Sequence, residues 1–227
     1  MARLYCLASG SRGNCYILED DNGKQLLLDV GIKIKEITQH PAFTSWRNVC
    51  GALITHEHSD HALSVVDIAR NGVDRFGYHN MVKNQLIQIN NWKIKTFECY
   101  HDVFNVGFII KDLSTDKTLV YATDTGKIPP IVNVDTWLIE CNFDTETFDE
   151  QAIKDTVDYS YLSRVWESHL GLDYLQSYFR KKVIKKAEKI IACHLSENNA
   201  LPDRVLKGLK RYANFVDIAE KGKEWEL

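Results

Sequence analysis

The chain has 227 residues, 44% hydrophobic and 26% charged, enough to bury one sizeable core, and residues 1–227 are read as a single domain. Lysine and arginine total 28 against 31 aspartates and glutamates, a formal net charge of −3. That balance gives no global attraction to a polyanion, so nucleic-acid contact needs a local basic patch. No apolar run approaches the roughly 18 residues that suggest a membrane span. The opening "MARLYCLASGSRGNCYILED" lacks the continuous apolar stretch of a secretory leader, which points to a cytoplasmic protein.

In chain order, "RLYCLA", "NCYILED" and "QLLLDVG" read as strands, with a "DNGK" turn before the third. A helical piece is expected over Ile34 to His40, and "VCGALITH" suits a buried strand. From Ser59, "SDHALSVVDIARNG" has helical spacing, with Ser59 as N-cap and Asn71-Gly72 as the stop. "RFGYH" reads as a short strand and "NMVKNQLIQI" as a short helix. "KIKTFECYH", "VGFIIKD", "KTLVYATD" and "TWLIECN" return to strands. Phe148 to Lys189 is largely helical in pattern, "KIIACH" is a strand, "PDRVLKGLKRY" a helix and "NFVDIAEKGKEWEL" a closing hairpin. Two groups of strands, each followed by helices, suit two packed sheets with helices on their outer faces.

The six cysteines (Cys6, Cys15, Cys50, Cys99, Cys141, Cys193) form no C-x-x-C pair, so buried free thiols are expected. Histidine is distributed very differently. Three of the eight histidines fall in "THEHSDH", together with two carboxylates. Protonated imidazoles this close would repel one another. Neutral nitrogens and anionic oxygens converging on a cation explain the crowding. A strand, a tight loop and a helix start can aim His56 and His58 one way and Asp60 and His61 another, which suits two ions better than one. His101, Asp124 and His194 each follow an apolar strand, where a rigid scaffold presents functional groups.

Asp29 in "LLLDVG", "HEHSDH", His101, Asp124 in "ATDTG" and His194 in "CHLSENN" resemble, in order, the five motifs of the metallo-β-lactamase superfamily. "LASGSRGNCYIL", "THEHSDHA" and "HLSENN" are similar to its YycJ-type (WalJ) branch, and ribonuclease Z is a more distant relative. The resemblance implies an α/β (α+β) fold, the αββα sandwich of two mixed β-sheets flanked by helices. It also implies that His56, His58 and His101 bind one metal and Asp60, His61 and His194 a second, with Asp124 bridging. Asp29 would accept an imidazole N–H and fix a ligand's orientation. Two stretches depart from the branch: "LIECNFD" has Cys141 where the branch has serine, and "SHLGLD" keeps His169 but not the small polar residues that usually follow it.

Two divalent ions about 3.5–4 Å apart share a water and ionise it near neutrality, so a metal-bridging hydroxide is the expected nucleophile. Nitrogen and carboxylate ligands without cysteine favour zinc and admit manganese. Asp60 and Asp124 as oxygen ligands follow the phosphodiesterase members of the superfamily, and a phosphodiester is itself an anion that two cations bind. His169 is the candidate to hold the phosphate or protonate the leaving oxygen, so Asp60 and His169 are the expected catalytic pair. Ser11 and Asn14 in "GSRGN", with Glu140 and Asn142, are candidate substrate contacts, although "GSRGN" reads equally as a hairpin turn. Asp144 either lines the site or closes a strand end.

A DNA exonuclease-like nuclease is the first expectation. A phosphodiesterase for a small substrate such as a cyclic nucleotide is the alternative, and a non-catalytic metal-binding protein the third. The partner is then nucleic acid or nucleotide, and a homodimer is compatible with everything above. In "RKKVIKKAEK", Lys181, Lys185 and Lys189 would share a helix face, either for phosphate contacts or simply as a solvated surface.

Overall fold

The computed structural model describes residues 2–81, 84–153, 159–182 and 186–227. The first half contains β1 (Arg3–Ala8), β2 (Cys15–Glu19), β3 (Gln25–Val30), α1 (Ile34–Thr38), β4 (Val49–Ile54), α2 (Ser59–Ala62), α3 (Val65–Arg70) and β5 (Arg75–Gly77). Then come β6 (Leu86–Ile89), β7 (Trp92–Tyr100), β8 (Phe104–Asp112), β9 (Thr118–Ala122) and β10 (Thr136–Glu140). The remainder is α4 (Thr145–Ile153), α5 (Tyr159–Ser168), α6 (Leu172–Lys182), β11 (Ala187–Cys193), α7 (Pro202–Leu209), β12 (Ala213–Ile218) and β13 (Glu224–Glu226). None of the described helices is long and apolar enough to cross a membrane.

The strands form two mixed sheets, in the orders β13-β1-β2-β3-β4-β5 and β12-β11-β10-β9-β8-β7-β6. β3, β4 and β5 run parallel, as do β9, β10, β11 and β12. Strands covered on both faces need apolar residues at every position, which "QLLLDV" and "TWLIE" nearly supply. Alternate side chains go to different layers. Tyr121, Leu138 and Ile191 face Leu26, Leu28 and Leu53 between the sheets. Val120, Trp137 and Ile190 face the opposite way, onto Leu175, Phe179 and Val205 of α6 and α7. Ile37 of α1 and Ile68 of α3 cover the outer face of the first sheet. The result is the expected αββα sandwich. The cysteines are free, five of them buried and Cys50 partly so.

Five local expectations are corrected. The helix from Ser59 is two short helices, because Ser64 turns away to donate its N–H to the Val30 carbonyl (3.0 Å) and its hydroxyl to that of Ile32 (2.6 Å). The N-cap position of α2 is His58, not Ser59. Within "NMVKNQLIQI", Val82 and Lys83 lie outside the described residues, and Leu86–Ile89 is a strand paired antiparallel with β7. The closing segment is not a hairpin: β12 lies beside β11 in one sheet and β13 beside β1 in the other. The shared lysine face also fails, since α6 ends at Lys182, Lys189 lies in β11, and Lys185 is outside the described residues.

Candidate metal centre

β4, β7, β9, β10 and β11 deliver their C-terminal ends to one cleft of about 350 Å³. In open parallel sheets this is where binding sites form. The local backbone is unusual at the ligand positions. Asp29, Asp124 and His194 all have left-handed φ, at 53°, 49° and 51°. Non-glycine residues seldom adopt that conformation, and it costs about 1–3 kcal/mol each. At Asp29 the cause is a bulge: Cys15 faces Val30 and Tyr16 faces Leu28, so Asp29 has no opposite partner and its side chain is re-aimed.

Asp29 is buried and saturated with donors: the N–H of Thr55 at 2.8 Å, the Tyr121 hydroxyl at 2.6 Å, and His61 Nδ1 at 2.7 Å. With Nδ1 donating to Asp29, His61 turns Nε2 into the cleft, 2.6 Å from Asp124 Oδ2 and 3.4 Å from Asp60 Oδ2. His56 Nδ1 rests on the Thr55 hydroxyl at 3.0 Å, leaving Nε2 3.4 Å from Asp124 Oδ2. The loop from β3 closes tightly beneath. A Cβ on Gly31 would stand 1.7 Å from the Asp60 carbonyl oxygen, so only glycine admits the approach.

The second sheet supplies a matching brace. Glu140, fully buried at the end of β10, accepts from the N–H groups of Thr125 and Leu170 through Oε2, both at 3.1 Å. Its Oε1 lies 2.6 Å from His169 Nδ1 and 3.2 Å from His194 Nδ1. His169 follows α5, whose end sits against the loop after β9. A Cβ on Gly126 would lie 2.0 Å from the Glu167 carbonyl oxygen.

Two groups of donor atoms result, each confined within 4.8 Å: His56, His58 and His101, and Asp60, His61, Asp124 and His194. Cations fit these groups. His56 Nε2 and His194 Nε2 are buried without a hydrogen-bond partner among the described residues, and buried polar atoms are rarely left so. Burial, aided by His61, pushes the His56 pKa down to about 2 and keeps that imidazole neutral. At His194 burial is outweighed by Asp124, which carries the pKa up to about 9, so a proton there competes with a cation. Burial alone would raise Asp124, yet His194 and His61 hold its carboxyl well below the usual range. A third grouping of Asp124, Glu140, His169 and His194 is satisfied by its own hydrogen bonds through Glu140. Burial opposes charge on His169, but Glu140 outweighs it and carries the pKa up to about 10.

Of the expected substrate contacts, Ser11 and Asn142 line the cleft. Asn14 and Glu140 do not, and this is a correction. Asn14 is buried, with Nδ2 3.0 Å from both the Gly10 carbonyl and His61 Nε2, so it braces the "GSRGN" turn. Glu140 acts only through the two histidines. Asp144 does not line the cleft and caps α4, its Oδ1 accepting the Thr147 N–H at 2.9 Å. Glu57 is exposed. Sequence reasoning missed Asp102, which lines the cleft 3.1 Å from His101 Nε2. Its one signal is its place directly after a strand-end histidine.

Comparison with known proteins agrees with this fold. Residues 8–87 match the family model of the metallo-beta-lactamase superfamily. The structure of YhfI from Bacillus subtilis, described as a metallo-beta-lactamase fold protein, superposes with a TM-score of 0.76 at 16% identity over all of both chains. This chain has the metallo-β-lactamase fold. Human tRNase Z, short form, shares the fold with a TM-score of 0.66 and 12% identity over 99% of this chain and 98% of its own. Exodeoxyribonuclease WalJ of Streptococcus pneumoniae is 28% identical over 226 aligned residues, covering 87% of this chain and 82% of the relative. Exodeoxyribonuclease YycJ of Bacillus anthracis is 42% identical over 66 residues, 28% of this chain and 25% of that one. The resemblance to the WalJ and YycJ proteins therefore extends beyond the motifs.

Proposed function

We propose that the chain is a divalent-metal-dependent phosphodiesterase, and within that class a DNA exonuclease-like nuclease. The observation that carries the reading is the convergence of His56, His58, Asp60, His61, His101, Asp124 and His194 on one cleft, with buried donor atoms among them left unpartnered. His56, His58 and His101 would hold one ion and Asp60, His61 and His194 the other, with Asp124 shared. Zinc suits the imidazoles, and manganese the added carboxylates. Ions bound there would supply Lewis-acid activation of a water nucleophile and would neutralise charge on the phosphoryl oxygens.

The chain's own residues do the rest. Asp29 and Glu140 fix the tautomers of His61 and His194, so each turns Nε2 inward. Asp124, 3.4 Å from His56 Nε2 and 2.6 Å from His61 Nε2, would be the carboxylate that links the two groups. His169, which lines the cleft and is oriented through Nδ1 by Glu140, would protonate the departing oxygen through Nε2. The relatives named WalJ and YycJ favour DNA as substrate. The size of the cleft favours a second reading, a single small phosphodiester such as a cyclic nucleotide.

The test is a panel of linear duplex, single-stranded DNA, RNA and cyclic nucleotides, with zinc- or manganese-loaded protein. Release of mononucleotides from DNA, abolished by chelation and weakening steeply with salt, is the expected result. Turnover of cyclic nucleotides alone would replace the nuclease reading with the small-substrate one. Phosphoester cleavage that persists after exhaustive chelation would remove the metal-dependent reading altogether.

A further inference from the structure

The three-residue loop 101–103 joins β7 to β8, with Tyr100 opposite Phe104 at its base. Neighbouring side chains on a strand diverge, but in this loop His101 and Asp102 both reach the cleft. Asp102 Oδ1 lies 3.1 Å from His101 Nε2 and 3.5 Å from His58 Nε2. His101 Nδ1 faces the Ser168 carbonyl oxygen at 3.2 Å. A carbonyl only accepts, so Nδ1 carries the hydrogen and Nε2 presents its lone pair. In the neutral ring that lone pair points at a carboxylate oxygen, a contact that either a proton on Nε2 or a metal cation held between the two groups makes favourable.

Resting on the metal-centre reading above, we propose that Asp102 is an additional cation ligand, adding a carboxylate oxygen to the imidazoles of His56, His58 and His101. The first site then has the mixed nitrogen and oxygen character of the second. Its preference moves toward cations such as manganese that accept oxygen readily. Asp102 is more than half exposed, so it joins the site from the solvent side and can be replaced without opening the core.

Metal binding itself is the readout. Wild type, Asp102→Asn, Asp102→Glu and Glu197→Gln are titrated with manganese and with zinc against a competing chelator. Folding is checked by circular dichroism of the metal-free proteins. Glu197 also lines the cleft but pairs outward with Arg12, so its replacement removes one negative charge without touching the imidazoles. We expect Asp102→Asn to weaken one of two ions by more than about tenfold, since even the outer partners of metal ligands are worth about 10–100-fold. The loss should be larger for manganese than for zinc, Asp102→Glu should recover part of it, and Glu197→Gln should bind as wild type. Unchanged binding of both ions by Asp102→Asn overturns the proposal, as does an equal loss in Glu197→Gln, which would mark a general field effect. A wild-type protein that takes up neither ion fails at the metal centre itself, a different and recognisable result.

Discussion

His169 and Glu140 divide one task between an accessible group and a buried one. The imidazole lines the cleft, while the carboxylate behind it is fully buried and holds Nδ1 at 2.6 Å. If His169 delivers the proton to the leaving oxygen, His169→Ala should cut kcat by about 10²–10⁴, the usual share of a general acid, with metal content unchanged. Normal turnover in that variant would remove His169 from the chemistry. Glu140→Gln should lower kcat through His169, and the double variant should lose little beyond His169→Ala alone, because two residues acting as one unit are not additive. Glu140 also steadies His194, so a metal titration must accompany the kinetics. A fall in ion affinity without a fall in kcat at saturating metal would place Glu140 with the ligands and not with the acid.

At the scale of elements, Asp144 holds two helix starts together. It is nearly fully buried, caps α4 through the Thr147 N–H, and accepts the Leu201 N–H at 2.8 Å just before α7. Arg204 reaches it from within α7 at 3.3 Å. Asp144→Ala should cost about 1–3 kcal/mol in urea denaturation, a lost cap plus donors left buried. Burial would raise the Asp144 carboxyl, but the Leu201 and Thr147 N–H groups pull it below its ordinary value. A depressed folded pKa gives stability that is fully present above the unfolded value near ~3.9 and lost as pH falls through the folded one. The wild type should therefore lose more stability than Asp144→Asn on going from pH 7 to pH 3. Parallel losses would show that Asp144 contributes nothing to the acid limb. This brace was invisible in the sequence, where Asp144 reads as a strand-end carboxylate. What could be read was whatever local pattern enforces: the apolar strands, and the ligand set at their ends. What could not was decided by distant partners. Ser64 leaves its helix for the end of β3, and the closing strands part because β11 and β1 each offer an open edge. The Asn90-Asn91 turn, with Asn90 at φ 49°, was a hairpin signal that the spacing of Leu86, Ile87 and Ile89 masked.

Across the whole molecule, the metal centre spans the junction of the two sheets. His56, His58, Asp60 and His61 come from the end of β4 and the start of α2. His101, Asp124 and His194 follow β7, β9 and β11 of the other sheet. Ions held by both sets would tie one half of the sandwich to the other, and would bind only where the halves are already assembled. Mass action then makes occupancy a stability term: at a free concentration of 100 times Kd, one site adds about 2.7 kcal/mol. For a chain of this length 1 kcal/mol moves Tm by roughly 2–4 °C, so saturation should raise Tm by about 5–10 °C per site. Chelation should reverse the shift. Asp124→Ala removes the carboxylate that would link the two donor groups, and should abolish most of the metal-dependent rise while leaving a folded metal-free protein, with alanine carrying the strain of the left-handed backbone that aspartate carries now. Thermal scans of wild type and Asp124→Ala, each with and without zinc, decide the matter. A wild-type Tm indifferent to both zinc and chelator would mean that the histidines and aspartates meet at the junction without holding an ion between the sheets.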